Sequence, residues 1–246
     1  MSPKILILDI ETSPNLVYVW GLFNQNISIS QVEEAGEVIC WAAKWAGKKQ
    51  RMFKSIHHDG KEDMVQTMYD LLEEADIVVH FNGKSFDMKH LNREFLLAGL
   101  NPPAPYAQVD LLLVARQNFK FLSNKMDFVV QALGLGAKVH HTGFDMWLKC
   151  MAGDAKAWAL MKKYNLGDIL VTEALYNRLG PWITNHPTVG LYSGLVDSCP
   201  SCGSGSLQMR GYSYTKMSTF QRFVCNDCGK WSRSNKRETA SNIVSL

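Results

Sequence analysis

The chain has 246 residues, of which 46% are hydrophobic and 20% are charged, and its net charge is +3. This composition is typical of a water-soluble globular protein with one sizeable domain and a small module. We find no signal-peptide pattern and no apolar run of the roughly 20 residues that a membrane span needs, so we expect a cytoplasmic protein.

The charge is distributed unevenly along the chain. From Ser198 to Leu246 there are seven lysines and arginines but only two acids, which leaves the remainder with a charge of −2. This contrast predicts that the C-terminal segment supplies any general affinity for polyanions. The same segment holds four of the six cysteines, and we expect Cys40 and Cys150 to be small core residues.

The predicted elements indicate a mixed α/β sheet with helices on its faces. The first strand covers Lys4 to Thr12 and is apolar enough to be buried on both sides. Further strands are predicted over 17–23, 38–45, 51–56, 76–81 and 109–114. Helices are predicted over 61–75, from an N-cap at Ser85 to residue 98, over 126–133 and 146–151, and in two stretches around Tyr164 between residues 154 and 179.

Two acids end the first strand. Because strand side chains repeat with a period of two, Asp9 and Glu11 point to the same side. Paired carboxylates at the rim of a sheet favour a hard cation such as Mg²⁺ or Mn²⁺ between them. The alternative is a strand that ends in solvent-exposed acids.

Two more acids, Asp87 and Asp168, could belong to the same site, but each also has a purely structural explanation. Asp87 falls in the first turn of a predicted helix, where it either completes a site at a strand end or only complements the helix dipole. Tyr164 and Asp168 are four residues apart, so on a helix they share one face. The alternative for this pair is an ordinary amphipathic helix.

Taken together, the motifs Asp-x-Glu, Asn-x-x-x-Phe-Asp and Tyr-x-x-x-Asp occur in this order on a matching layout of strands and helices. From residue 4 to 179 the chain resembles the DEDD 3′→5′ exonucleases of the DnaQ-like, ribonuclease H-like superfamily. The tyrosine branch (DEDDy), which includes the proofreading domains of family B DNA polymerases, is the most similar. The resemblance implies a ribonuclease H-like five-stranded mixed sheet flanked by helices.

The resemblance also implies site residues and a mechanism. Two Mg²⁺ or Mn²⁺ ions would be held by Asp9, Glu11, Asp87 and Asp168, while Tyr164 would orient the attacking water. The positions that match substrate-contacting residues of the family are Thr12, Asn82 and Phe86.

The implied activity is stepwise hydrolysis that releases nucleoside 5′-monophosphates from single-stranded DNA, with RNA as a further possibility. Such enzymes act in bacterial or phage-infected cytoplasm, in DNA replication and repair among other pathways.

The cysteines of the C-terminal segment form two Cys-x-x-Cys pairs, which are Cys199 with Cys202 and Cys225 with Cys228. This spacing predicts one structural Zn²⁺ bound by four thiolates in a zinc ribbon. Aromatic side chains alternate with lysine and arginine around the pairs, which favours binding of single-stranded nucleic acid. Contact with a polymerase or another replication or repair protein is the alternative.

The predicted organisation is therefore an exonuclease domain over 1–180, a linker over 181–197, a zinc ribbon over 198–235 and a disordered tail over 236–246. A second hypothesis for the function is a non-catalytic, nuclease-like module that binds DNA or protein through its ribbon. The presence of all four acids and the tyrosine favours the enzyme.

Overall fold

A computed structural model describes residues 2–140 and 142–243. The chain divides into one compact unit over Lys4–Leu175 and a second that takes the residues from Tyr176 onwards. The division falls within a helix, a few residues before the predicted end of the first domain. Among the described residues, no helix is long and apolar enough to cross a membrane.

The first unit is built on a five-stranded sheet with the strand order β5-β4-β1-β6-β7. The strands are β1 (Ile5–Thr12), β4 (Val38–Trp45), β5 (Met52–Ser55), β6 (Ile77–His80) and β7 (Ala107–Asp110), and a small separate pair is formed by β2 (Leu16–Val17) and β3 (Val32–Glu34). β1 pairs with β4 in the antiparallel sense and with β6 in the parallel sense. The predicted mixed sheet is confirmed.

The centre of this sheet is buried on both faces. Leu6, Ile7 and Leu8 in β1 are all 0% exposed, as are Cys40 and its neighbour Ile39 in β4. Leu6 and Leu8 pack into one hydrophobic cluster, whereas Ile39 and Cys40 pack into another on helices from the opposite side. The uninterrupted apolar run at the start of the sequence is thus explained by a strand that is covered twice.

The helices of the chain are α1 (Lys61–Glu74), α2 (Asp87–Leu97), α3 (Leu111–Asn118), α4 (Met126–Ala132), α5 (Phe144–Met151), α6 (Ala155–Leu179) and α7 (Val189–Ser193). The two helical stretches predicted around Tyr164 are wrong, because α6 is continuous for 25 residues. The predicted N-cap at Ser85 is also wrong. Phe86 holds that position, and the Ser85 hydroxyl donates instead to the Asn82 side chain at 2.8 Å.

Two predicted strands differ from the structure. The strand predicted over 17–23 stops at Val17, and the side chains after it are exposed, with Trp20 at 97%. The strand predicted over 109–114 ends at Asp110, where α3 begins. The Asp110 carboxylate accepts hydrogen bonds from the backbone N–H groups of Leu112 and Leu113, which makes it an N-cap.

The second unit contains α7 and an antiparallel sheet of three strands, β8 (Leu207–Tyr214), β9 (Ser218–Cys225) and β10 (Trp231–Ala240), with β9 in the middle. β8 and β9 pair in the antiparallel sense, and β9 also pairs with β10. β10 continues through residues 236–240, which the sequence analysis assigned to a disordered tail. Residues 244–246 of that tail lie outside the described residues.

Candidate functional site

Three of the predicted carboxylates meet at the end of β1. Asp9 and Glu11 lie opposite Ala42 and Cys40 of β4, so they project from one face of the sheet. Asp168 comes from α6. One carboxylate oxygen of each lies within 4.8 Å of the others, which is close enough for a cation to bind more than one of them.

Helix α6 supplies more than the third acid. Tyr164 and Asp168 are one turn apart on it and are almost completely buried, as the sequence spacing predicts. Between them lies Asn165, which is 0% exposed. The Asn165 amide donates a hydrogen bond of 2.6 Å to Oδ2 of Asp9, so α6 also fixes the orientation of an acid on β1.

The fourth predicted ligand, Asp87, lies beside this trio without belonging to it. Its Oδ1 accepts a hydrogen bond of 3.2 Å from the backbone N–H of Ile10, the residue between Asp9 and Glu11. The carboxylate is 4% exposed and is at the first position of α2. Asp87 is therefore attached to the same strand end as the trio, from the side of the following helix.

The loop that precedes Asp87 is held by Asp110. Its carboxylate accepts hydrogen bonds from the backbone N–H groups of Asn82 at 2.9 Å and Lys84 at 3.2 Å. Asn82 has a φ of 69°, in the left-handed region that asparagine tolerates better than most residues. A Cβ at Gly83 would lie 2.4 Å from the His80 ring, so glycine is required there. Asp110 therefore shapes the loop that presents Asn82.

A lysine that sequence reasoning missed enters the centre of the site. The Lys138 ammonium donates to Oδ2 of Asp168 at 2.6 Å and to the Tyr164 hydroxyl at 3.2 Å. It lies between α4 and α5, in a loop whose sequence carries no recognisable signal. Asn165 was missed as well, although its place between the tyrosine and the acid of the third motif was a usable clue.

The buried acids have unusual proton affinities. Burial, together with the neighbouring carboxylates of Asp87, Glu11 and Asp168, holds the pKa of Asp9 well above its usual range. Burial and the charge of Asp168 raise the pKa of Glu11 to about 8. Burial raises the pKa of Asp87 to about 7, against the opposing effect of backbone hydrogen bonds. A divalent cation would reverse these shifts by stabilising the ionised forms.

Burial also acts on the two other titratable groups. It raises the pKa of Tyr164, helped by the charge of Asp168, so this phenol stays protonated at neutral pH. Burial disfavours the Lys138 ammonium, but the charge of Asp168 and its hydrogen bond to the ammonium outweigh burial and raise the Lys138 pKa. The site therefore combines acids from β1, α2 and α6 with the ammonium of Lys138, which comes from the loop between α4 and α5.

Two surface depressions adjoin the acids. One, of about 530 Å³, is lined by Asp9 and Asn82 and by three basic side chains, Arg116, Lys125 and Lys138. The other, of about 320 Å³, is lined by Thr12 together with Phe144 and Trp147. The Phe86 side chain is 38% exposed and makes an edge contact with the His90 ring. The structure thus places Thr12 and Asn82 in depressions, and Phe86 directly before Asp87.

The donor set fits hard divalent cations. The converging atoms are carboxylate oxygens, which Mg²⁺ and Mn²⁺ prefer, and the trio contains neither thiolate nor imidazole. Asp87 adds a fourth carboxylate nearby. Asp9, Glu11 and Asp168 could therefore hold such an ion between them.

The four cysteines of the second unit form a separate cluster. The Sγ atoms of Cys199 and Cys228 are 3.6 Å apart, and those of Cys202 and Cys225 are 3.7 Å apart. These distances exceed the roughly 2.05 Å of a disulfide. A tetrahedral zinc with Zn–S bonds of about 2.3 Å places its sulfurs about 3.8 Å apart, so the cluster matches the geometry of a Cys₄ zinc site.

Each cysteine pair is closed by a glycine. The Gly203 N–H donates to the carbonyl of Cys199, and the Gly229 N–H donates to the carbonyl of Cys225, both at 2.9 Å. Burial opposes ionisation of the Cys225 thiol, but the backbone N–H groups of Cys228 and Asp227 point to it and lower its pKa to about 7. Burial raises the pKa of Cys202 to about 11 and raises that of Cys228 as well, so Cys225 is the thiol of these three that ionises most readily.

Comparison with known proteins agrees with the fold. A family model described as the RNase H superfamily matches residues 6–180, so the chain belongs to this superfamily. Among solved structures, the family B DNA polymerase from the hyperthermophilic archaeon Pyrobaculum calidifontis matches with a TM-score of 0.55 at 15% identity. The match covers 87% of this chain but 31% of the polymerase, and it supports the fold alone. No curated protein sequence matches.

The resemblance to ribonuclease H-like proteins, drawn above from three short motifs, is confirmed by these comparisons. The superfamily and the acids at the end of β1 indicate a nuclease.

Proposed function

We propose that the protein is a metal-dependent 3′→5′ exonuclease of the tyrosine-bearing DEDD type. The observation that carries the proposal is the convergence of Asp9, Glu11 and Asp168 within 4.8 Å, with Tyr164 one turn from Asp168 on the same helix. Two motifs that are far apart in sequence, Asp-x-Glu and Tyr-x-x-x-Asp, are needed to build this arrangement.

Two Mg²⁺ or Mn²⁺ ions are the proposed cofactors of this site, with Asp9, Glu11, Asp87 and Asp168 as the residues that would hold them. When bound, such ions lower the pKa of a water and stabilise the charge that develops on the leaving 3′ oxygen. Without a cation, burial and then repulsion from the neighbouring carboxylates raise the pKa values of Asp9 and Glu11, so the ionised forms are costly.

The remaining polar groups of the site hold other atoms in position and do not take part in proton transfer. Tyr164 is protonated at neutral pH because burial raises its pKa, so its hydroxyl acts as a hydrogen-bonding group that positions the attacking water, not as a general base. Lys138 holds that hydroxyl and Asp168 in a fixed relation. Asn165 does the same for Asp9.

The proposed substrate is single-stranded nucleic acid, with DNA favoured over RNA and nucleoside 5′-monophosphates as products. The basic side chains of Arg116, Lys125 and Lys138 around the larger depression suit the phosphates of such a strand. Thr12, Asn82 and Phe86 are the proposed contacts to its 3′ end. A cytoplasmic role in DNA replication or repair is part of the proposal.

A structural zinc ion in the Cys₄ cluster completes the proposed cofactors. All four positions of a tetrahedral ion would be filled by Cys199, Cys202, Cys225 and Cys228, which leaves none for a reacting water.

The test follows a single strand labelled at either end, incubated with Mg²⁺ or Mn²⁺. We expect stepwise shortening from the 3′ end, with the 5′ label retained on a ladder of products. Asp87→Ala removes one proposed ligand and should abolish this ladder, whereas Asp145→Ala removes an acid of α5 that is half exposed and pairs with Lys149, and should cleave normally.

Matched DNA and RNA strands in the same assay define the sugar preference. Internal cleavage, shortening from the 5′ end, or undiminished activity of Asp87→Ala would each contradict the proposal. If the wild-type protein binds strands without cleaving them in either metal, the non-catalytic binding module becomes the better account.

A further inference from the structure

We propose that one face of the three-stranded sheet in the second unit is a binding surface for single-stranded nucleic acid. This surface, the arginine face, is defined by Phe220 and Arg222 of β9 and by Trp231, Arg233 and Arg237 of β10. The proposal concerns binding alone and is independent of the proposed nuclease activity.

The register of the strands places these side chains together. Trp231 lies opposite Val224, Arg233 lies opposite Arg222, and Arg237 lies opposite Phe220. Residues directly opposite in an antiparallel pair project to the same side, and alternate residues of a strand share a face. All five side chains therefore emerge from one side of the β9–β10 ribbon.

The aromatic rings and guanidinium groups of this face are stacked in two pairs. The Cζ atom of Arg222 lies 4.9 Å from the centre of the Trp231 ring, and that of Arg233 lies 3.8 Å from the centre of the Phe220 ring. Each pair joins diagonal neighbours across the two strands. Stacking keeps the planar guanidinium groups in defined orientations, with charge presented beside apolar rings.

A bulge in β8 fixes Arg222 further. The register of β8 against β9 shifts between Met209 and Tyr212, and Gly211 in the bulge has a φ of 67°, which favours glycine. The bulge turns the Arg210 carbonyl towards Arg222, whose Nε donates to it at 2.9 Å. One edge of the guanidinium is thus used for positioning, which leaves its terminal Nη groups to contact a ligand.

The charges on this face indicate an anionic ligand. Arg222 and Arg233 are directly opposite each other, which is an unfavourable placement of like charges in a sheet. No ion pair involves either of them, or Arg237, in the part of the chain that the structure describes. Phosphates of a bound strand would relieve this repulsion.

The combination of groups favours a nucleic acid over an acidic protein. Bases have flat π-faces that stack on tryptophan and on guanidinium planes, while phosphates pair with the terminal nitrogens of arginine. Trp231 is 51% exposed, so part of its ring is accessible. By contrast, Lys230 is 9% exposed and donates to the carbonyl of Ile183 at 2.6 Å, so this cation has a structural role.

The test measures binding of a fluorescent oligothymidylate of about 20 nucleotides by anisotropy over a range of salt concentrations. All proteins are full-length and zinc-loaded, and all carry Asp168→Asn so that the strand stays intact. In this background, Arg222→Gln with Arg233→Gln should lower the slope of log K against log salt by about 1.4. Each of two lost phosphate contacts accounts for about 0.7 of this change in slope. At 0.1 M salt the change corresponds to a dissociation constant about 25-fold higher.

Two further variants separate charge from stacking. Lys216→Gln with Lys236→Gln removes the same charge from the second unit outside the arginine face, and should leave the slope nearly unchanged. Trp231→Leu should weaken binding roughly tenfold while leaving the slope unchanged, because stacking releases no counterions.

Zinc content measured for every variant shows whether the cysteine cluster is intact. If Arg222→Gln disturbs it, Arg233→Gln with Arg237→Gln tests the same face without touching the bulge. The proposal is overturned if the arginine variants bind as tightly as their parent, if the lysine pair has an equal effect, or if the parent does not bind the strand.

Discussion

The two ligand clusters of this protein differ in how the chain brings their atoms together. Cys199 and Cys202 lie three residues apart, as do Cys225 and Cys228, and each pair closes on itself through a glycine N–H. The carboxylates of Asp9 and Asp168 come instead from a strand and a helix separated by most of the first unit. The thiols are brought together by local turns, whereas the acids are brought together by the whole fold.

This difference predicts that the first unit folds without its metal, whereas the cysteine module needs its metal to fold. The first unit has its own buried core around β1, so the acids are held in place by packing. The cysteine cluster includes the last residue of β9, Cys225, which among the described residues is the only fully buried side chain of β8, β9 and β10. Modules with so little core depend on their metal for folding.

The largest expected effect comes from breaking the cysteine cluster. Cys225→Ser should eliminate the bound zinc and unfold the three-stranded sheet, while the first unit keeps its cooperative thermal transition. Zinc per chain and differential scanning calorimetry measure the two outcomes. Cys150→Ala is the matched control, since it removes a buried thiol of α5 that lies outside the cluster. If Cys225→Ser retained its zinc, the prediction that the four thiols bind the ion and that the ion folds the sheet would be contradicted.

An intermediate effect is expected at the acid site when Lys138 is replaced. Lys138→Gln loses the ammonium that holds Asp168 and Tyr164, so hydrolysis of the strand should fall about 10- to 100-fold, as for other residues that orient metal ligands. Lys149→Gln, which alters an exposed pair on α5, should be fully active. Equal initial rates for both variants would show that Lys138 is dispensable.

The smallest effect concerns stability against pH without Mg²⁺ or Mn²⁺. The folded pKa values of Glu11 and Asp87 are raised to about 8 and about 7. The folded state therefore binds more protons than the unfolded state in this range. The contribution of these two acids to the stability should be fully present below the ordinary carboxylate pKa of about 4 and should be lost as the pH rises to about 8.

This decline is measured as the Tm of the first unit between about pH 5 and pH 8.5, with each kcal/mol lost lowering it by about 2–4 °C. Added Mg²⁺ should raise the Tm more at the higher pH, because the ions bind ionised carboxylates. Asp87→Asn should flatten the metal-free profile. A wild-type Tm that rises over this range would contradict the raised pKa values of these buried acids.

Sequence patterns predicted the parts of the structure that depend on local periodicity. The buried run at residues 5–10, the strand over 38–45 and the helix that starts at Lys61 all have the bounds or nearly the bounds expected. The order of the acids along these elements then indicated which strand end carries the site. Residues 17–23 had a strand-like composition, but most of them have no neighbouring strand to pair with, and Trp20 is exposed.

The supporting residues of the site were not predictable in the same way. Asn165 and Lys138 act through contacts with Asp9, Tyr164 and Asp168 that exist only after folding. Asp110 looked like the middle of a strand because the apolar run continues beyond it into α3. Periodicity identifies which residues are buried, but it does not say which polar atoms will meet.

The attachment of the acids to different elements has a consequence for local opening of the fold. Asp9 and Glu11 lie on β1, which is hydrogen-bonded to β4 along their positions, in the middle of the sheet. Their amides belong to the class of backbone groups that exchange slowly with solvent, through near-global unfolding. Lys138 lies in the loop between α4 and α5, so we expect its amide to exchange faster than those of β1. When the fold opens locally, we therefore expect the hydrogen bonds of Lys138 to Asp168 and Tyr164 to break before β1, which carries Asp9 and Glu11, loses its order.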